Sequence, residues 1–169
     1  MNIEIRKAKL EDCEELSYLK REIWETTYRG IYPDEKFDSY NYVENAHKFE
    51  NIILSNDIFL YVASDNGKLV GYVAFGSPLR PFRDYSKEIV LLYIKKEYQG
   101  IGIGKKFFNL GYEYIKSLGE TKFLISCNKY NLPAQGFYEK MGGKKVYIDD
   151  DMDNKSIPQI KYEYIINRH

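Results

Sequence analysis

The stretch Glu88-Ile-Val-Leu-Leu-Tyr-Ile-Lys-Lys-Glu-Tyr-Gln-Gly-Ile-Gly-Ile-Gly104 decides how the chain folds. Ile89 to Ile94 form a run of six apolar residues rich in β-branched and aromatic side chains. That length and composition suit a strand buried on both faces. After a short polar linker, Gly100, Gly102 and Gly104 alternate with Ile101 and Ile103. The apolar period then changes from 2 to about 3.6, which predicts a helix. A helix start leaves backbone N–H groups without intrahelical partners and carries partial positive charge. Glycine removes the Cβ and lets a bulky anion approach the backbone. Buried strand, glycine turn and helix together predict an anion cradle, for phosphate or pyrophosphate.

Around this centre the chain reads as alternating elements. Residues 2–8 alternate in polarity, as a half-buried strand does. From Leu10 a helical stripe runs through Cys13, Leu16, Leu19 and Ile23, with Glu11 and Asp12 favouring its first turn. Gly30 and Pro33 interrupt it, and Asp34 to Ser55 predicts one or two further short helices. Ile58 to Ala63 and Leu69 to Phe75 are strands joined through Asp65-Asn66-Gly67-Lys68, a hairpin turn because Asn-Gly tolerates positive φ. A loop with Pro78 and Pro81 leads to the central strand. The helix after the cradle places Phe107, Phe108, Gly111, Ile115 and Leu118 on one face. Phe123 to Cys127 is a short strand, and Asn131 caps a helix with Pro133 in its first turn. Lys145 to Ile148 and Ile160 to Ile166 are strands flanking an acidic loop, Asp149 to Asn154. The predicted class is mixed α/β (α+β): a mostly antiparallel mixed sheet of six to seven strands with helices on both faces. A single domain over residues 1–169 follows from the length and the lack of repeats or linkers.

Composition narrows the function. Lys and Arg number 25, as do Asp and Glu, so the balance is neutral and gives no support for a general nucleic-acid binder. No apolar run approaches the roughly 18 residues of a membrane span, and the N-terminus lacks a signal-peptide core. Cys13 and Cys127 lie far apart, and His47 and His169 are isolated. These predict reduced thiols in a cytoplasmic protein with neither a metal site nor a histidine-based triad. The 17 tyrosines are expected at core edges and interfaces, and leave room for a homodimer.

Neither familiar glycine loop fits. The dinucleotide fingerprint fails because its last glycine would fall on Lys105, and the P-loop fails because Lys106 follows Gly104-Lys105. What fits is Gln99-Gly-Ile-Gly102-Ile-Gly104, read as Q-x-x-G-x-G after a strand, with Asn131-Leu-Pro-Ala134-Gln-Gly-Phe137-Tyr138-Glu-Lys140-Met-Gly142 about thirty residues on. Together they resemble the acetyl-CoA loop and the N-x-x-A-x-x-F-Y-x-x-x-G segment of the GCN5-related N-acetyltransferase (GNAT) superfamily. The resemblance covers residues 88–145 well, and the remainder in pattern.

That resemblance implies acetyl-CoA as co-substrate, its pyrophosphate on the backbone of Gln99, Gly100, Ile101, Gly102, Ile103 and Gly104. It implies pantetheine beside Leu92, Tyr93 and Ile94, where neighbouring strands splay, with a free N–H there polarising the thioester carbonyl. Asn131 looks like a pantetheine ligand as well as a cap, and Lys105, Lys106 and Lys140 are candidates for the phosphates. Tyr138 takes the place of the general acid for the departing thiolate. A phenol of pKa about 10 can donate at neutral pH to a thiolate whose acid has pKa about 8.5. A protonated amine cannot attack, and Glu88 matches a position that carries a carboxylate in many relatives; it would take the ammonium proton directly or through a water. Trp24, Tyr28 and Tyr32, beside Asp34, Glu35 and Asp38, form the acceptor side together with Asp149 to Asp153. Carboxylates beside aromatics suit a small cationic amine such as a polyamine. The expected reaction is therefore acetyl transfer from acetyl-CoA to a primary amine by direct attack. A protein or peptide N-acetyltransferase and a non-catalytic acyl-CoA sensor are the alternatives. Gly143, where relatives carry an aromatic, and Lys96, where proline is frequent, depart from the pattern.

Overall fold

The structure is a computed structural model that describes residues 1–149 and 158–167. Seven strands form one sheet: β1 (Ile3–Lys7), β2 (Ile58–Asp65), β3 (Lys68–Gly76), β4 (Glu88–Ile94), β5 (Lys122–Asn128), β6 (Lys144–Ile148) and β7 (Gln159–Ile165). Their spatial order is β1-β2-β3-β4-β5-β7-β6. Every pairing is antiparallel except that of β4 with β5. The expected mixed, mostly antiparallel sheet is what forms. Its first hairpin turns at Asn66 and Gly67, whose φ values are +49° and +85°, as a tight turn with two left-handed residues requires.

Among the described residues five α-helices cover the two faces. On one lie α1 (Cys13–Tyr28), α2 (Asp34–Asp38) and α3 (Tyr42–Leu54). Leu16, Leu19 and Ile23 of α1 and Phe49 of α3 pack there on Leu60, Val62, Tyr72 and Ala74 of the sheet. The segment 34–55 thus resolves into two helices, the second capped by the Asn41 side chain, which accepts from Glu44 N. On the other face, α4 (Ile103–Ser117) and α5 (Leu132–Lys140) pack over a larger core. Phe107, Phe108 and Ile115 meet Phe75, Ile89, Phe123, Ile125, Tyr162 and Tyr164. Each such side chain, removed from water, contributes about 2 kcal/mol. Leu118 does not join them: it ends α4 and is exposed. Gly111 brings α4 onto β4, since a Cβ there would lie 2.8 Å from Ile89 Cδ1.

The feature that makes a site is the behaviour of β4. Consecutive residues Phe75 and Ala74 of β3 pair with Ile89 and Leu91, so Val90 is an extra residue bulged out of the ladder. A bulge bends its strand and increases the twist. On the other side, β4 pairs with β5 only at Glu88 and Ile89. Parallel pairing therefore stops at the bulge and the strands part, while β5 continues with β7 from Lys122 to Asn128.

Candidate active site

The parting of β4 and β5 opens a cleft lined by Tyr28 of α1, Val90 to Tyr93 of β4, Ser126, Cys127 and Asn128 of β5, and Asn131, Ala134 and Tyr138 around α5. From Val90 onward, β4 has no strand partner on the β5 side among the described residues, so its backbone groups on that edge are open to a ligand. Five residues singled out from the sequence meet here: Tyr28, Leu92, Tyr93, Asn131 and Tyr138. Ile94 does not; it packs into the α4-side core, and its carbonyl accepts from Gln99 Nε2 at 2.9 Å.

At the end of β4 lies the cradle. Gly100 and Gly102 have φ of +78° and +99°, values that disfavour any residue with a Cβ. The first helical bond of α4 runs from Lys106 N to Gly102 O, so the N–H groups of Ile103, Gly104 and Lys105 precede the ladder and need other partners. A Cβ placed on Gly100 or Gly102 would meet no heavy atom within 4 Å, so the space beside these two glycines is open. Gly104 serves packing instead: a Cβ there would lie 3.2 Å from Phe137 Cζ. This arrangement fits a bound diphosphate. Lys105 and Lys106, on the first turn of α4, are exposed, as is Lys140 at the end of α5.

Tyr138 is buried, 4% exposed, in the wall opposite β4. Its backbone carbonyl accepts from Tyr164 Oη at 2.6 Å and from Gly143 N at 3.0 Å. These bonds fix the last turn of α5. The departure at Gly143 has its reason here, since a Cβ would stand 2.7 Å from the Tyr164 hydroxyl. Burial, with Cys127, Tyr93, Tyr164 and Tyr28 nearby, pushes the Tyr138 phenol well above its usual value. Burial also pushes the Cys127 thiol up to about 12. Asn131 caps α5 through Oδ1, which accepts from Ala134 N at 3.2 Å, and it shares the cleft lining with Tyr28.

Glu88 is buried, 6% exposed, and stands one hydrogen bond behind the cleft wall. Ser126 Oγ donates to its Oε1 at 2.7 Å, and Lys161 Nζ donates to Ser126 Oγ at 2.9 Å. Burial raises the Glu88 carboxyl above the ordinary range, opposed by the Ser126 hydrogen bond and the Lys161 charge. Sequence reasoning missed Ser126, Asn128 and Lys161. The signal was faint: Ser126 and Asn128 are the polar positions of the alternation in Leu124-Ile-Ser-Cys-Asn128.

The acceptor side departs most from expectation. Tyr32 reaches the cleft wall, its hydroxyl accepting from Asn128 Nδ2 at 2.7 Å. Trp24 stacks behind it, with ring centroids 6.5 Å apart. The carboxylates there are engaged: Glu25 bonds both Arg21 and Arg29, and Asp34 bonds Arg29. Lys36 Nζ sits 4.4 Å from the Tyr32 ring centroid, so a cation of the chain itself already lies on the aromatic face. Glu35 and Asp38 are exposed. The acidic run from Asp150 to Asp153 lies outside the described residues.

A strand that leaves its parallel neighbour beside a cleft, followed by an amide cradle at the start of the next helix, defines a protein built to hold a phosphorylated carrier with its far end between two strands. The sequence profile of the acetyltransferase (GNAT) family matches residues 16–143, and the chain belongs to that family. It is 30% identical over 170 residues to the spermidine N(1)-acetyltransferase of Thermoplasma acidophilum, covering 96% of this chain and 99% of that one. It is 29% identical over 150 residues to the uncharacterized N-acetyltransferase YuaI of Bacillus subtilis, covering 88% and 84%. The crystal structure of the PaiA N-acetyltransferase of Thermoplasma acidophilum in complex with coenzyme A superposes with a TM-score of 0.75 at 27% identity, covering 98% of this chain and all of that one. The protein is thus an acetyl-CoA-dependent acyltransferase. Among the described residues no helix is long and apolar enough to cross a membrane.

Proposed function

We propose that the protein acetylates a small primary amine, cationic and of polyamine type, by direct attack of the amine on acetyl-CoA. The observation that carries the reading is the parting of β4 from β5 with Tyr138 in the wall of the gap and the amide cradle at its end. In this reading the backbone from Gln99 to Lys105 takes the diphosphate, and the open edge of β4 from Val90 to Tyr93 takes the pantetheine. An N–H of that edge faces the oxygen on which charge develops. Tyr138, held protonated by burial, gives its proton to the sulfur as the carbon–sulfur bond breaks. Glu88 receives the proton that the ammonium must lose before nitrogen can attack.

Support for a polyamine comes from the relative named for spermidine. Glu25 of α1 and Asp34 of α2 do not add to it, because arginines hold both. A screen tests the whole reading: thiol release from acetyl-CoA is followed with spermidine, other di- and triamines, amino acids and a peptide library. Turnover confined to small amines, highest with polyamines, is expected. Turnover confined to peptides would replace this reading with a protein acetyltransferase. Binding of acetyl-CoA without turnover of any amine would replace it with a sensor.

A further inference from the structure

Glu88 is placed to accept a proton, yet it does not line the cleft; Ser126 does. A hydroxyl has one hydrogen to donate and two lone pairs to accept with. The hydrogen of Ser126 goes to Glu88 Oε1 at 2.7 Å, and one lone pair takes Lys161 Nζ at 2.9 Å. A lysine ammonium donates and cannot accept, so it fixes the direction of the chain: Ser126 must turn its hydrogen to Glu88. The second lone pair is left for a group in the cleft.

Other charges packed near Glu88 are occupied elsewhere. From the loop before β4, Asp84 pairs with Lys122 at 2.7 Å, and the Tyr85 hydroxyl donates to Glu163 of β7. Lys87 Nζ donates to the Ser86 carbonyl at 3.2 Å. Gly76 of β3, opposite Glu88 in register, brings no charge. Lys161, half-buried over the Phe82 ring at 5.0 Å, is the cation that acts on Glu88.

We propose that Ser126 and Lys161 complete the proton-accepting side of the reaction, Ser126 relaying the acceptor's proton to Glu88 and Lys161 holding the relay in the productive direction. The inference rests on the reading of Glu88 as the base. In the relay an N–H bond of the substrate ammonium breaks as its proton passes to Ser126 Oγ. The Ser126 hydrogen passes to Glu88 Oε1, leaving a neutral amine, an unchanged serine and a neutral carboxyl. Lys161 helps twice. It favours the charged form of Glu88 before the amine arrives, and its charge beside the incoming ammonium favours loss of the proton. Ser126 touches the substrate and is catalytic in this scheme; Lys161 is a positioning residue.

The test uses the full chain with glutamate labelled at the side-chain carboxyl carbon, and follows Glu88 by NMR across pH, assigned by its absence in Glu88→Gln. Lys161→Met is expected to raise the Glu88 midpoint by about one pH unit. Lys161→Arg should restore it, and Ser126→Ala should also raise it. This arm is read whether or not an acceptor turns over. In parallel, kcat/KM with acetyl-CoA and spermidine is measured against pH. Ser126→Ala is expected to lower kcat/KM by about 10²-fold with the KM for acetyl-CoA unchanged, and Lys161→Met to move the acidic limb up with the NMR midpoint. A Glu88 midpoint that stays in place in both Lys161→Met and Ser126→Ala overturns the inference. So does a full-rate Ser126→Ala enzyme when Glu88→Gln is slow. A full-rate Glu88→Gln enzyme instead overturns the reading of Glu88 as base.

Discussion

Replacing Tyr138 by Phe removes one oxygen and tests the proposed proton donor directly. The ring should stay in place. It packs on Phe137 and Tyr162 at centroid distances of 5.5 and 5.9 Å, and the bonds that fix this turn run to the backbone carbonyl. The chemical consequence is worked from the acidities. In water a phenol of pKa about 10 facing a thiolate whose acid has pKa about 8.5 transfers its proton uphill by about 2 kcal/mol. Burial lifts Tyr138 further, which alone would make it a poor donor. The same pocket lifts the Cys127 thiol to about 12, so a coenzyme A thiolate emerging beside Cys127 is a stronger base than in water. The second shift acts against the first, so burial does not by itself disqualify Tyr138 as the donor as the carbon–sulfur bond breaks. Loss of a positioned acid of this kind costs about 10²–10³-fold in rate. Tyr138→Phe should therefore lower kcat and kcat/KM together by that factor while the KM for acetyl-CoA and the melting temperature hold. The assay is thiol release from pH 6 to 9.5 beside a thermal melt. A thioester with a more acidic leaving thiol should narrow the gap between variant and wild type, since it departs with less help. Because Tyr138 titrates well above its usual value, the wild-type rate should show no falling limb from it in this range. A variant within a few-fold of wild type, or one whose loss lies entirely in acetyl-CoA binding, would refute the argument.

Gly102→Ala forces a Cβ onto a residue at φ +99°; it should cost about 1–3 kcal/mol of stability and weaken acetyl-CoA binding, read by melting and by calorimetric titration. Gly111→Ala places its Cβ 2.8 Å from Ile89 Cδ1, and this overpacking between α4 and β4 should cost about 1–3 kcal/mol in urea unfolding. Asp12 accepts both Arg6 terminal nitrogens, at 2.8 and 2.9 Å. Arg6 holds its carboxyl below the usual range, so its contribution is present above about pH 4 and is lost as pH falls through the depressed value. Asp12→Asn should cost about 1–3 kcal/mol at pH 7, with the gap to wild type closing in acid. For Glu88 the sign is opposite: its carboxyl is raised from 4.5, so the native state holds that proton more tightly and stability falls as pH rises through the window above 4.5. Glu88→Gln should thus melt higher than wild type near pH 7.5, with the advantage vanishing toward pH 4, while its acetylation rate drops by about 10²-fold.

The donor half of the site was legible because it is written in backbone. Gly100 and Gly102 announce left-handed φ and an open amide row, Asn131 and Pro133 announce a helix start, and Ile89 to Ile94 announce a buried strand. Each rests on a local rule that holds whatever the chain does elsewhere. The gap between β4 and β5 was not legible from residues alone. It arises from one extra residue, Val90, against β3, and no residue type marks a bulge of that kind. The acceptor half was misleading for a different reason. Asp34 and Trp24 read as a cation site when taken alone, but Arg29 holds Asp34 and Lys36 covers the aromatic face. Pairing among charges that sit close in sequence cannot be read from their presence. Ser126 and Lys161 were silent because a single serine and a single lysine on alternating strands carry no signal until β5 and β7 are placed side by side.

The two halves of the site make opposite demands on the fold. Acetyl-CoA offers diphosphate oxygens and amides, which main-chain groups can meet without burying any charged side chain. An amine acceptor arrives as a cation and must leave a proton behind, so its half needs a carboxylate near the cleft and out of water. A buried charge is costly unless paired and hydrogen-bonded. Glu88 meets that cost by standing where β4 and β5 are still paired, one residue before the last register, Ile89 with Ile125. There β5 supplies Ser126 and β7 supplies Lys161. Two residues further along β4 the pairing with β5 has ended, and a carboxylate there would stand in the cleft lining itself. In the proposed scheme the bulge at Val90 thus separates two chemistries along one strand: a side-chain proton acceptor before it and a backbone thioester site after it. Without the bulge, with Leu91 still opposite Ala74, Glu88 would slip by one residue against β3 and its side chain would turn to the opposite face, away from Ser126, even with every residue of the chain retained.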